Sequence, residues 1–111
     1  MPQYMLLLYR TDAAHAAAAG RGEMSLWAEF NDALREAGLL VGSGQLRPVE
    51  AATTVRVRDG EIELTDGPFA VTKELLAGYY LLECADLDEA LGQAARVPLA
   101  RYGSVEVRPL V

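Results

Sequence analysis

Hydrophobic and polar positions follow two different periods along this chain, and the switches between them mark its elements. Residues 3–9 (Gln-Tyr-Met-Leu-Leu-Leu-Tyr) are a near-continuous apolar run, the pattern of a strand covered on both faces. Residues 12–22 form an alanine-rich stretch ending in Gly20-Arg21-Gly22, a weak signal compatible with a helical turn. Over residues 23–37 the period lengthens. Trp27, Phe30, Leu34 and Ala37 recur at three-to-four spacing, which predicts a helix with one buried stripe, and Gly38 supplies its C-terminal stop. A second strand is expected over residues 39–46, flexible or bulged at Gly42 and Gly44.

Residues 53–64 give the cleanest local pattern. Val55 and Val57 alternate with Arg56 and Arg58, and Ile62 and Leu64 alternate with Glu61 and Glu63. Asp59-Gly60 between them suits a two-residue hairpin turn, in which both central positions need positive φ. Counting outward from that turn pairs Arg58 with Glu61, Val57 with Ile62, Arg56 with Glu63 and Val55 with Leu64. One face then carries two cross-strand Arg–Glu pairs and the other is wholly apolar. A further strand, apolar on both sides, is expected over residues 77–85. Asp86 and Glu89 have the spacing of a capping box for a helix burying Leu87, Ala90, Leu91, Ala94 and Ala95, with Pro98 near its end. Residues 104–109 alternate again and close the chain as a strand.

The order is strand, helix, strand, inserted hairpin, strand, helix, strand. This is a ferredoxin-like βαββαβ plan of the α+β class with one hairpin extension, a single domain over residues 1–111. Its two helices lie on one sheet face, yet the strands near residues 4–9 and 78–85 are apolar on both. An uncovered apolar face predicts a second copy packed sheet against sheet with two-fold symmetry.

Composition narrows the classes. The chain is 51% hydrophobic with a net charge of −6, so it is globular, and its nine arginines are scattered rather than clustered on a basic patch. Nucleic acid is not an expected partner. No apolar run approaches the ~20 residues of a membrane span, and the N-terminus lacks the pattern of a secretory signal. A lone cysteine, Cys84, suits a reducing cytoplasm and reads as a small core residue. One histidine and one cysteine do not make a metal site, and Gly42-Ser43-Gly44 is too short for a phosphate loop. Neither metal nor cofactor is expected.

Residues 65–79 hold the chemistry-bearing positions. The only lysine, Lys73, stands beside Glu74 and seven residues after Asp66. The Asp66-Gly67-Pro68-Phe69 run, the Thr72-Lys73-Glu74 triplet and Gly78-Tyr79-Tyr80-Leu81-Leu82-Glu83 resemble the DGPF-domain branch of the YCII-related proteins. Residues 4–9 and 103–109 extend that likeness nearly end to end. The resemblance implies a dimeric α/β-barrel. It also implies a regulatory setting as an alternative function, because genes of this branch often neighbour those of alternative sigma factors. The wider family is discussed around a histidine on the first helix and a nearby aspartate as an acid–base pair. Here the stretch Ser25-Leu26-Trp27-Ala28-Glu29 has no histidine, Val97 rather than an acid precedes Pro98, and His15 reads as a surface residue.

The expected site is therefore the DGPF segment. Asp66, Lys73 and Glu74 are the catalytic candidates, with Lys73 within hydrogen-bonding reach of Asp66 or Glu74 and kept charged by them. Phe69, Tyr79, Tyr80 and Arg101 are the ligand-binding candidates. The functional expectation is a small molecule bound in a cleft near this segment and the dimer seam, with acid–base character. The plainer reading makes Asp-Gly-Pro ordinary turn chemistry and Phe69 a core plug.

Overall fold

The computed structural model describes residues 1–19, 22–70 and 72–111. Gly20 and Arg21, the middle of the expected glycine-rich break, and Val71 in the DGPF segment lie outside the described residues. Strand β1 (Gln3–Arg10) leads to helix α1 (Asp12–Ala19), helix α2 (Glu23–Glu36) and strand β2 (Leu40–Gln45). After a 3-10 turn at Val49–Ala51 come the hairpin strands β3 (Thr53–Arg58) and β4 (Glu61–Asp66). Strand β5 (Leu75–Glu83), helix α3 (Leu87–Arg96), a 3-10 turn at Pro98–Arg101 and strand β6 (Ser104–Pro109) complete the chain. None of the described helices is long and apolar enough to cross a membrane.

Four strands form one antiparallel sheet in the order β2-β5-β1-β6, and β3-β4 form a second sheet of their own. That order, with α2 and α3 as crossovers, is consistent with the ferredoxin-like plan and its hairpin between the second and third strands of the main sheet. The period of two decides which side chains meet the helices. Tyr4, Leu6 and Leu8 on β1 stand opposite Leu82, Tyr80 and Gly78 on β5, and all six are buried. Phe30 and Leu34 of α2 and Ala90 and Ala94 of α3 close over them. Each such leucine taken fully out of water contributes ~1.5–3 kcal/mol. On the reverse face, Met5 pairs with Leu81 and Leu7 with Tyr79, and all four remain half-buried.

The element ends follow local chemistry. The Thr11 hydroxyl accepts from the Ala14 N–H at 3.1 Å and caps α1, so the alanine run is a full helix rather than a turn. Gly38 (φ 72°) closes α2 with Gly38 N–H to Arg35 O and Leu39 N–H to Leu34 O, a Schellman motif. The β2 strand is irregular between Leu40 and Gly42, close to the expected bulge. At α3, Asp86 accepts from the Glu89 N–H at 2.9 Å, while Glu89 reaches back to the Ala85 N–H at 2.7 Å. The reciprocal arm of the box thus lands one residue earlier than expected.

Two buried stripes differ from expectation. Leu87, Leu91 and Ala95 of α3 are exposed, because α3 settles on the sheet through Ala90 and Ala94, whose small side chains permit close approach. Ala37 is exposed beyond the last turn of α2. Cys84 is buried as expected. Burial and the nearby Glu89 and Asp86 carboxylates hold its thiol above the ordinary cysteine value.

The hairpin has the expected register: Arg58 opposite Glu61, Val57 opposite Ile62, Arg56 opposite Glu63 and Val55 opposite Leu64. Asp59 (φ 53°) and Gly60 (φ 78°) supply the two positive φ values of its turn. Its apolar face, however, meets no core. Val55, Val57, Ile62 and Leu64 stay 59–71% exposed. The chain measures 47 × 37 × 18 Å with a radius of gyration of 15.9 Å, against roughly 13 Å for a compact chain of this length.

Candidate functional site

Between α2 and the sheet lies a cavity of about 620 Å³, within the size range of small-molecule sites. Gly78 contributes a bare floor on β5, where an added Cβ would stand 2.7 Å from the Gly44 carbonyl oxygen. Leu8, Met24, Trp27 and Leu99 give apolar walls, and Arg10, His15, Glu23, Asn31, Ser43 and Gln45 place polar groups around them. A smaller cavity of about 180 Å³ adjoins it, sharing Arg10, His15, Gln45 and Ala77 and adding Asp12 and Arg47.

The back of the cavity is held rigidly. Trp27 stacks on Tyr80 with ring centroids 6.4 Å apart and planes 8° from parallel, and Phe30 meets Tyr80 edge-on at 5.3 Å. The Tyr80 hydroxyl donates to Asn31 Oδ1 at 2.5 Å. Burial pushes the Tyr80 pKa up to about 12, with Arg35 opposing weakly. This tyrosine is a neutral structural post.

At the other end a polar chain crosses the fold. Glu23, the first residue of α2, is only 8% exposed, and its Oε1 accepts from the Tyr102 hydroxyl. Burial first, then the hydrogen bond and negative charge of Glu23, push the Tyr102 pKa up to about 12; Arg10 is close enough to pull it the other way. Arg10 is half-buried at the end of β1. His15 faces the same space from α1, and its Nδ1 is buried without a hydrogen-bond partner. A carboxylate (Glu23), a guanidinium (Arg10) and an imidazole (His15) thus line one cavity, with the Tyr102 phenol bonded to the carboxylate, a set able to hold an anion and to exchange a proton.

The DGPF segment is arranged otherwise. Asp66 and Lys73 are exposed, and among the described residues no hydrogen bond or ion pair joins Lys73 to Asp66 or Glu74. Glu74 turns instead to the Ser104 hydroxyl, which donates to its Oε1 at 2.9 Å, while its Oε2 is buried without a partner. Gly67 (φ 95°) makes the turn, its N–H donating to Ala52 O and its carbonyl accepting from the Thr54 hydroxyl. Phe69 is 79% exposed and plugs no core, and Arg101 is exposed on its 3-10 turn. Of the expected residues only Tyr79 and Tyr80 border the large cavity. Tyr79 sits beside Leu7 on the reverse sheet face, its ring over Gly44, where an added Cβ would lie 2.8 Å from the ring.

Four site residues escaped the sequence pattern. Glu23 had a legible signal: it extends the buried stripe Glu23, Trp27, Phe30, Leu34 by one helical step. Arg10 and Tyr102 had none. His15, expected on the surface, is half-buried on α1, the helix that precedes α2.

This chain belongs to the YCII-related domain family, whose pattern matches residues 2–111. It is also similar to an uncharacterised protein of Rhizobium meliloti (strain 1021), with 40% identity over 112 aligned residues that cover 96% of this chain and 90% of that protein.

Proposed function

We propose that this protein binds a small molecule in the cavity beneath α2, with His15 and the Glu23–Tyr102 pair as the groups that handle a proton. The observation that carries this reading is one cavity of about 620 Å³ lined together by His15, Arg10 and the buried carboxylate Glu23. The expected cleft beside Asp66 and Lys73 moves, on this reading, to the Ala77–Tyr80 end of β5. Trp27 is the chain's only tryptophan and lines the cavity, so its emission reports occupancy. A metabolite panel should yield a saturable change in Trp27 fluorescence that Ala28→Phe, at the cavity lip, abolishes without unfolding the protein. A panel giving no saturable change would sink the reading.

A specific observation also favours self-association into a dimeric α/β-barrel. Met5, Leu7, Tyr79 and Leu81 form a strip on the sheet face opposite α2 and α3, and the hairpin adds four exposed apolar side chains. A patch on the order of 400 Å² on the hairpin alone is comparable to the largest on ordinary monomers. Doubled by symmetry and joined to the sheet strip, it approaches the ~1,200 Å² at which specific interfaces begin. Sedimentation equilibrium should return twice the chain mass of 12.0 kDa, and Leu7→Glu should return the single chain. A wild-type monomer at tens of micromolar would remove the dimer.

A further inference from the structure

From the junction of the two cavities we infer that the ligand is a small organic carboxylate, its head on Arg10 and its apolar body against Trp27 and Leu8. This rests on the cavity reading above and deepens it. Arg10 borders both cavities from the end of β1. Among the described residues the ion pairs are Arg35–Asp32 and Arg108–Glu106, so no carboxylate of the chain sits on Arg10. Its close polar neighbour, Tyr102, is a neutral phenol already committed to Glu23. A half-buried guanidinium without a counter-ion is costly, and a carboxylate matches its planar fork with two parallel hydrogen bonds.

The surroundings set the rest of the ligand. Arg47 flanks the smaller cavity and adds a second positive charge near the head. His15 lines both cavities at the same junction. Two carboxylates oppose: Asp12 is exposed at the rim, and Glu23 lines the large cavity with one oxygen engaged by Tyr102. Through that phenol Glu23 neighbours Arg10, and its second oxygen suits a hydroxyl or another hydrogen-bond donor on the ligand.

The test compares matched probes on the whole protein: hexanoate and 3-phenylpropionate, their amides, and inorganic phosphate, read by Trp27 fluorescence and by melting temperature. The acids should bind at least tenfold more tightly than their amides. Arg10→Gln should remove that preference, weakening the acids far more than the amides; Arg10→Lys, which keeps the charge but not the fork, should retain part of it; Arg47→Gln should weaken the acids a few-fold. Circular dichroism establishes that each variant is folded, and should Arg10→Gln fail to fold, Arg10→Lys and Arg47→Gln carry the comparison. Amides binding as well as acids would overturn the carboxylate inference and leave the cavity reading standing. Phosphate binding in place of the acids would overturn it as well, making Arg10 a general anion site. No binding of acid or amide would overturn both readings together.

Discussion

On β1, Tyr4, Leu6 and Leu8 alternate with half-buried neighbours, and the side they share is sealed by α2 and α3, with Leu6 keeping no exposure. On β3 and β4, Val55, Val57, Ile62 and Leu64 alternate just as regularly and keep 59–71% of theirs. The same period of two sets which residues share a face in both places. What differs is the covering layer. In the main sheet it comes from helices of the same chain; over the hairpin, no such layer lies among the described residues. Alternation therefore reports register and leaves open what covers a face.

The largest expected effect sharpens the covered half of that comparison. Leu6→Ala should cost ~2–5 kcal/mol, the range for deleting a buried leucine, through lost transfer energy and the cavity left behind. Its urea midpoint should fall by the same amount at every protein concentration. A loss that vanished at high concentration would mean that Leu6 acts through association, and the contrast with the hairpin would break.

Next comes the polar end of the cavity, which neither apolar surface resembles. Tyr102→Phe leaves Glu23 buried without its donor and should cost ~1–3 kcal/mol. Alkaline pH reaches the same bond. Tyr80 and Tyr102 have folded pKa values near 12, above the ordinary ~10 of a tyrosine. Their contribution is full below pH ~10 and is lost as the pH rises toward 12. Wild-type stability should fall across that window, and Tyr80→Phe/Tyr102→Phe should fall less steeply. An identical slope would show that these phenols do not control it.

The hairpin was legible in full because its information is local: Asp59-Gly60 fixes the turn and four flanking pairs follow by counting. The capping box at Asp86 and the final strand were legible for the same reason. The site was not. Arg10, His15, Glu23 and Tyr102 come from a strand end, two helices and the residue just after a 3-10 turn, and no local spacing ties Glu23 to Tyr102 across the chain. The alanine run of α1 hid its helix because its cap, Thr11, lies outside the run. The leucines of α3 misled because the strongest apolar residues are not its contact residues; Ala90 and Ala94 are.

A smaller effect tests the hairpin itself. Ile62→Thr/Leu64→Thr keeps β-branched or strand-compatible side chains while removing apolar area. In dilute solution it should change the stability of the chain by under ~1 kcal/mol, because these side chains are already in water. At high concentration it should weaken self-association at least tenfold. Equal association with and without the substitutions would free the hairpin of any role in the proposed dimer and leave the sheet face as its candidate interface.

The smallest effect concerns the other side of the same hairpin. Arg56 faces Glu63 and Arg58 faces Glu61, but neither pair is among the ion pairs closed within 4.0 Å, and all four residues except Arg56, which is half-buried, are exposed. Exposed pairs of this kind are worth ~0–1 kcal/mol. Glu63→Gln should therefore move the melting temperature by less than a degree or two at low salt and not at all at high salt, where the Debye length is about 3 Å at 1 M. The charges have a different use. A strand slipped by two residues would set Arg58 against Glu63 and leave Arg56 and Glu61 without their cross-strand partners, while a slip by one would turn the apolar set to the wrong face. Arg56→Glu places like charges opposite one another at a single rung of the native register. It should lower the salt-free melting temperature more than Glu63→Gln does, and Glu63→Arg added to it should restore the loss. Failure of that charge swap to restore stability would show that the ladder is held by its turn and its apolar face alone.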